Sequence, residues 1–155
     1  MSRFHQARAI ALLLPLALIA GALGSQYLGG LYPCEMCHWQ RWPHYAAILL
    51  AALAFQPVAQ RTLVILAALA IAISGAIGVY HAGVEYRWWE GLTQCSVLEV
   101  GSGSDTLSQI MASPLIRCDQ AQWTLFGISL AGFNALFSLS GVALILWLCR
   151  KPKVR

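Results

Sequence analysis

Residues 62–80 read TLVILAALAIAISGAIGVY, a run without a single charged side chain. A helix of about 20 such residues is the length that crosses the hydrocarbon core of a bilayer. Residues 9–29 and 125–149 are equally uninterrupted. A shorter apolar stretch, 42–59, opens near Pro43 and closes near Pro57; Pro43 suits a first helical turn, where its missing N–H has no intrahelical partner to lose. With 59% hydrophobic and 10% charged residues in a chain of 155, one small soluble core cannot hide the apolar surface. The expected fold is an all-α membrane protein: an antiparallel four-helix transmembrane bundle forming one domain over 1–155, with spans at about 9–29, 42–59, 62–80 and 125–149. Gly75, Ala76, Gly78, Gly132 and Gly141 would let the helices approach closely. The first stretch is read as a retained span: it is too long for a signal peptide and lacks a small-residue cleavage site.

Four spans put both termini on one side, and the charges orient them. Arg3, Arg8, Arg61, Arg150, Lys151, Lys153 and Arg155 fall on the terminal side, which the positive-inside rule makes cytoplasmic. Glu35, Glu85, Glu90, Glu99, Asp105 and Asp119 fall opposite, joined by Arg41, Arg87 and Arg117. The formal charge of +4 is thus a topology signal and gives no support to nucleic-acid binding. The expected location is a bacterial inner membrane, crossed several times, with outer loops at about 30–41 and 81–124.

The long loop carries Trp88, Trp89 and Trp123, rings that favour the headgroup level. Within it, Gly101-Ser102-Gly103-Ser104 reads as a flexible joint. Asp105 or Thr106 then caps a short helix with an apolar face of Leu107, Ile110 and Met111.

Cys34, Cys37, Cys95 and Cys118 lie on the outer side, and Cys149 at the inner end of the last span. That division suits a compartment in which disulfides persist outside and not inside. A bridge within Cys34-Glu35-Met36-Cys37 closes a tiny loop and restrains the unfolded chain little, so its spacing suits reversible oxidation better than bracing. A bridge between Cys95 and Cys118 would contribute about 3 kcal/mol by chain entropy, and alone reads as a staple. Two pairs on one face make a relay feasible, because a thiolate of one attacks the disulfide of the other. Cys37 stands near a helix N-terminus with Arg41 at i+4, and both lower a thiol pKa. Arg41 also suits stabilisation of negative charge on a lipid-dissolved electron acceptor, or plain snorkelling to the headgroups. His44, at i+7 from Cys37, is read as packing. His81 at an outer helix end is set to hydrogen-bond a polar headgroup such as a quinone carbonyl, or to face its own helix terminus.

The motif Pro33-Cys34-Glu35-Met36-Cys37 with Arg41, the cysteines at 95 and 118, and residues 118–127, CDQAQWTLFG, together resemble the DsbB family of disulfide bond formation proteins. The resemblance runs nearly end to end. It implies disulfides Cys34–Cys37 and Cys95–Cys118, and a DsbA-like periplasmic thiol oxidase that forms a mixed disulfide at Cys95. It further implies that Cys118 exchanges onto Cys34 and frees Cys37 to face a quinone, ubiquinone or menaquinone, beside Arg41. His81 corresponds less closely to a histidine near the family's quinone site. The protein is then a quinone-dependent protein-disulfide oxidoreductase.

Rival readings are a paralogue serving a dedicated DsbA-like partner, a c-type cytochrome, a zinc site and a scaffold braced by inert disulfides. Cys34-Glu35-Met36-Cys37-His38 satisfies the CxxCH haem-attachment signature, but the short connection offers no domain to enclose haem and leaves Cys95 and Cys118 unexplained. Zinc on Cys34, Cys37 and His38 is disfavoured by the oxidising compartment and the second cysteine pair.

Overall fold

The computed structural model describes residues 2–92 and 117–150. Its long helices are α1 (Arg3–Tyr27), α2 (Glu35–Leu53), α3 (Gln60–Glu85) and α4 (Leu130–Cys149). A small antiparallel hairpin, β1 (Thr124–Leu125) and β2 (Ile128–Ser129), precedes α4. α1 and α3 each pack against both α2 and α4, so the four helices form a ring with α1 and α3 at opposite corners. Cys95, the joint at 101–104 and the short helix expected after it lie outside the described residues.

α1, α3 and α4 are long and apolar enough to cross a membrane. α2, the expected fourth span, differs in composition and position. Its first half carries Glu35, His38, Gln40, Arg41 and His44, and it runs from Glu35 to Leu53 instead of 42–59. Cys34 is the reason for the early start: as N-cap its sulfur accepts the N–H of Cys37 at 3.3 Å. Pro43 is therefore inside the helix and not in its first turn. Residues 35–41, expected in a loop, are helical, which places Cys37 and Arg41 on one face of a rigid element. α3 likewise runs past Tyr80 to include His81 and Glu85.

α4 starts later than expected because 124–129 turn back on themselves. Phe126 and Gly127 both have positive φ, 52° and 77°, as the central residues of a type I′ hairpin turn do. The Tyr86 hydroxyl at the end of α3 holds this hairpin, donating to Gly127 O at 2.9 Å and accepting from Ser129 N at 2.9 Å.

Glycines bring α3 and α4 together. A Cβ on Gly78 would sit 3.0 Å from the carbonyl oxygen of Ala131, and one on Gly75 3.0 Å from Ser138 Cβ. Gly141 faces Leu14 of α1, and Gly132 faces Ile128 of the hairpin. Ala76 is exposed and takes no part in the close approach.

The apolar core is concentrated at the end of the ring where the N-terminus lies, in Ala7, Ala11, Ala47, Ala51, Val64, Ala67, Ile71, Ile145 and neighbours. Arginines close that end. Arg3 donates to Trp147 O at 3.0 Å, Arg61 to Cys149 O at 2.7 Å and Arg8 to Ala54 O at 3.3 Å, all on carbonyls in the last turn or cap of a helix, where intrahelical donors run out. Cys34, Cys37 and Cys118 sit at the opposite end.

Candidate redox site

Cys34 is the centre of the site, 2% exposed between two other sulfurs. Its Sγ lies 2.8 Å from Cys37 Sγ, one helical turn on. Its other neighbour comes from far along the chain: Sγ of Cys118, also buried, lies within 4.8 Å of both Cys34 Sγ and the His81 ring nitrogen. A clasp brings the two segments together. Gln122 accepts from Tyr32 N at 3.0 Å and donates to Tyr32 O at 2.5 Å, pairing its side-chain amide with the backbone just before Cys34. Arg117 and Asp119 pair beside Cys118, with a shortest distance of 2.6 Å, and that guanidinium lowers the Asp119 carboxyl pKa.

The three sulfurs are not equivalent. Hydrogen bonding to Cys118 and Cys37, reinforced by burial, pushes the Cys34 thiol far above its ordinary value. The Cys37 thiol is held below its ordinary value, chiefly because it accepts a hydrogen bond from the Cys34 thiol, with burial acting in opposition. The expected direction is therefore found, but its largest cause is the neighbouring sulfur, whereas the sequence pointed to the helix terminus and Arg41. Cys37 is the natural thiolate of the reduced pair.

Behind the sulfurs runs a string of buried polar side chains that joins His81 to His44 through Gln40 and Asn134, neither of which the sequence singled out. Gln40 Nε2 donates to Met36 O at 3.2 Å and meets His81 Nδ1 at 2.8 Å. Gln40 Oε1 accepts from Asn134 Nδ2 at 2.8 Å; Asn134 Nδ2 also lies 3.1 Å from the Ser74 hydroxyl oxygen. Asn134 Oδ1 in turn accepts from Ser138 at 3.0 Å and meets His44 Nε2 at 2.9 Å. Because each amide has a fixed donor end and acceptor end, the string sets both histidine tautomers. His81 accepts at Nδ1 and so keeps its hydrogen on Nε2. His44 donates from Nε2 and so has its lone pair on Nδ1.

The Nε2–H of His81 faces Cys34 Sγ at 3.5 Å and Glu85 Oε1 at 3.7 Å. Glu85 Oε2 is buried with no hydrogen-bond partner among the described residues. Cys34, His81 and Cys118 are the kind of donor set that zinc takes. The tautomer opposes that use, since a nitrogen holding its hydrogen has no lone pair for a metal. His38, the histidine of the CxxCH match, is exposed.

A cavity of about 230 Å³ opens beside the cysteines between α1, α2 and α4, with Cys37, Arg41, His44, His81 and Phe133 among its walls. Arg41 is 9% exposed, so it does not snorkel. It donates to Gln26 Oε1 at 2.6 Å and Ala22 O at 3.2 Å, both on α1, and no carboxylate pairs with it among the described residues. A buried guanidinium bound only to neutral acceptors keeps an unbalanced positive charge at the cavity wall.

Asn134 was legible in principle, as the amide inside an otherwise apolar span. Gln40 and Glu85 had no such signal, because each reads as a polar residue near a membrane surface.

Three sulfurs gathered at one end of a bundle of membrane-length helices, two of them one turn apart and the third delivered from another segment, are the equipment of a membrane thiol–disulfide exchange protein. The model of the DsbB family, "Disulfide bond formation protein DsbB", matches residues 4–148, and the chain belongs to that family. It is similar to Disulfide bond formation protein B of Verminephrobacter eiseniae (strain EF01-2), at 31% identity over 86% of this chain and 80% of the relative. It is also similar to Disulfide bond formation protein B of Alkalilimnicola ehrlichii (strain ATCC BAA-1101 / DSM 17681 / MLHE-1), at 30% identity over 85% of this chain and 92% of the relative. No solved structure matches significantly. Family membership carries a thiol oxidoreductase role in disulfide bond formation.

Proposed function

We propose that this protein oxidises a DsbA-like periplasmic thiol oxidase and passes the electrons to a membrane quinone, from the outer face of a bacterial inner membrane with both termini cytoplasmic. The observation that carries the reading is the placement of Cys34 between Cys118 and Cys37. Cys34 lies within short reach of both sulfurs, so it can join the outer pair to the inner pair. The arginines at the opposite end of the ring support the orientation.

The reaction balances in four exchanges. A thiolate of the partner attacks Cys95 of a Cys95–Cys118 disulfide, and Cys118 leaves as the thiolate. Cys118 attacks Cys34 of the Cys34–Cys37 disulfide, and Cys37 leaves as the thiolate. The partner's second thiolate closes its own disulfide and releases Cys95. Cys95 then attacks Cys118, restoring the outer bond and leaving Cys34 and Cys37 reduced. Re-forming the Cys34–Cys37 bond expels two electrons and two protons, which is the chemistry a quinone accepts as it becomes hydroquinone.

The residues fit such an acceptor. The cavity is walled mainly by apolar side chains, as a lipid-soluble ring requires, and Cys37 lies on its wall where an electron pair can leave. Arg41 supplies positive charge where negative charge develops on the ring oxygen. His81 Nε2 lies 3.5 Å from Cys34 Sγ, close enough to stabilise that sulfur when it leaves as a thiolate.

The test uses purified protein in detergent, fed with a reduced DsbA-type protein and a short-chain ubiquinone or menaquinone. Wild type turns over, whereas Cys37→Ser and Cys95→Ser do not. In Cys37→Ser without the thiol donor, the Cys34 thiolate attacks Cys118 of the Cys95–Cys118 disulfide and releases Cys95, giving a Cys34–Cys118 bond that peptide mass spectrometry detects after acid quenching. Absence of that bond, with turnover retained in Cys37→Ser, would remove the relay.

A further inference from the structure

His44 is a buried histidine that the relay leaves unused. It stands on α2 three residues beyond Arg41 and seven beyond Cys37, lines the same cavity and is 3% exposed. Its Nε2 meets Asn134 Oδ1 at 2.9 Å, and its Nδ1 is buried with no partner among the described residues. A histidine that served only to fill space would not need one nitrogen fixed by an amide and the other buried without a partner. The polarity of the string decides what the open nitrogen offers. Asn134 Nδ2 is committed as a donor to Gln40 Oε1 and to Ser74, so Asn134 Oδ1 must accept and His44 Nε2 must donate. Nδ1 then presents a lone pair and nothing else.

Accepting the quinone reading above, we propose that His44 Nδ1 receives a hydrogen bond from a ring hydroxyl of the hydroquinone, so that the cavity holds the reduced ring more tightly than the oxidised one. A quinone offers only carbonyl oxygens, which face a lone pair without a hydrogen between them. A hydroquinone offers an O–H, which satisfies the buried nitrogen. Two electrons and two protons leave Cys34 and Cys37 as their disulfide forms, and both appear on the ring; His44 gains and loses nothing overall. Its effect is on the equilibrium. A tenfold preference for the reduced ring raises the potential of the bound acceptor by about 30 mV for a two-electron couple and pulls electrons out of the cysteine pair. Arg41 and His44 divide the work: Arg41 meets the charge that appears during transfer, and His44 meets the hydrogen that remains afterwards.

The experiment measures binding of a short-chain ubiquinone and of its hydroquinone to the resting, fully oxidised protein in detergent under anaerobic conditions, by quenching of tryptophan fluorescence. Wild type is expected to bind the hydroquinone about 10-fold more tightly. In His44→Leu the two affinities become nearly equal, chiefly through loss of hydroquinone binding. Asn134→Leu keeps the imidazole but frees either nitrogen to carry the hydrogen, so the preference falls to an intermediate value, and this variant decides the matter where His44→Leu does not fold. An undiminished preference in either folded variant would overturn the role of His44 and leave the quinone reading intact. Failure of the wild type to bind either ring would overturn the quinone reading itself.

Discussion

At the arginine end of the bundle, Ala7, Ala11, Ala47, Ala51, Ala67 and Ala68 fill the space between helices, and Arg3, Arg8 and Arg61 turn outward to helix-terminal carbonyls or aromatic rings. At the cysteine end the buried residues include Cys34, Met36, Cys118, Gln40, Arg41, His44 and His81. One end is closed by close approach of small side chains, whose contacts are nondirectional and tolerate exchange for similar volumes. The other is closed by hydrogen bonds, each of which needs one particular partner in one orientation. The difference teaches where function sits: the small-residue end fixes the helices in a ring, and the polar end uses that rigidity to fix sulfurs and tautomers.

The largest effect expected is chemical. Cys37→Ser abolishes quinone reduction while leaving membrane insertion intact, as judged by hydroquinone absorbance beside a monodisperse elution profile; ordinary turnover would break the assignment of the cysteine end as the reactive one. Next comes the string. Gln40→Leu leaves Asn134 and His81 with unmet buried groups and should cost about 1–3 kcal/mol for each one stranded, measured by unfolding in mixed detergent. The counterpart at the other end, Ala67→Leu, overpacks and should also cost about 1–3 kcal/mol, but without slowing turnover of the molecules that remain folded. Equal loss of specific activity in both variants would erase the contrast between the ends.

Gln122→Ala removes both bonds of the clasp to Tyr32. It should lower stability by about 1 kcal/mol and reduce the yield of the Cys34–Cys118 bond in a Cys37→Ser background. An unchanged yield would mean that other contacts deliver Cys118.

A finer test uses pH. In the reduced protein Cys37, whose pKa is lowered, is alkylated by iodoacetamide at lower pH than Cys34, whose pKa is raised, and Cys34→Ala moves the Cys37 profile upward because its hydrogen-bond donor is gone. Reversal of the order would place the nucleophilic sulfur on Cys34. The smallest effect belongs to Cys149→Ala at the arginine end, where turnover stays at the wild-type value and only a small packing loss is expected. Reduced turnover there would show that the two ends are coupled.

Much of this was legible in sequence because it depends on composition and on near neighbours along the chain. An uncharged run such as 62–80 must be helical and span lipid, since unpaired backbone groups are not tolerated there, and the i+4 relation of Cys37 to Arg41 follows once a helix is assumed. The early start of α2 was missed because a cysteine sulfur acting as N-cap gives no customary signal, and Pro43 drew the boundary toward itself.

What the sequence determined by itself was the membrane class and the family, and it named the four cysteines proposed to react, for these rest on residue type and spacing. Only the tertiary structure decided that Cys118 arrives beside Cys34, that Arg41 is buried at a cavity wall, and that Gln40 and Asn134 set the tautomers of His81 and His44. Those are contacts between residues tens of positions apart, such as Tyr32 with Gln122 and Gln40 with Asn134, and hydrogen bonds of that kind leave no periodic mark in the chain. They exist because the helices first pack at close range, and only then does each polar atom find the single partner within reach.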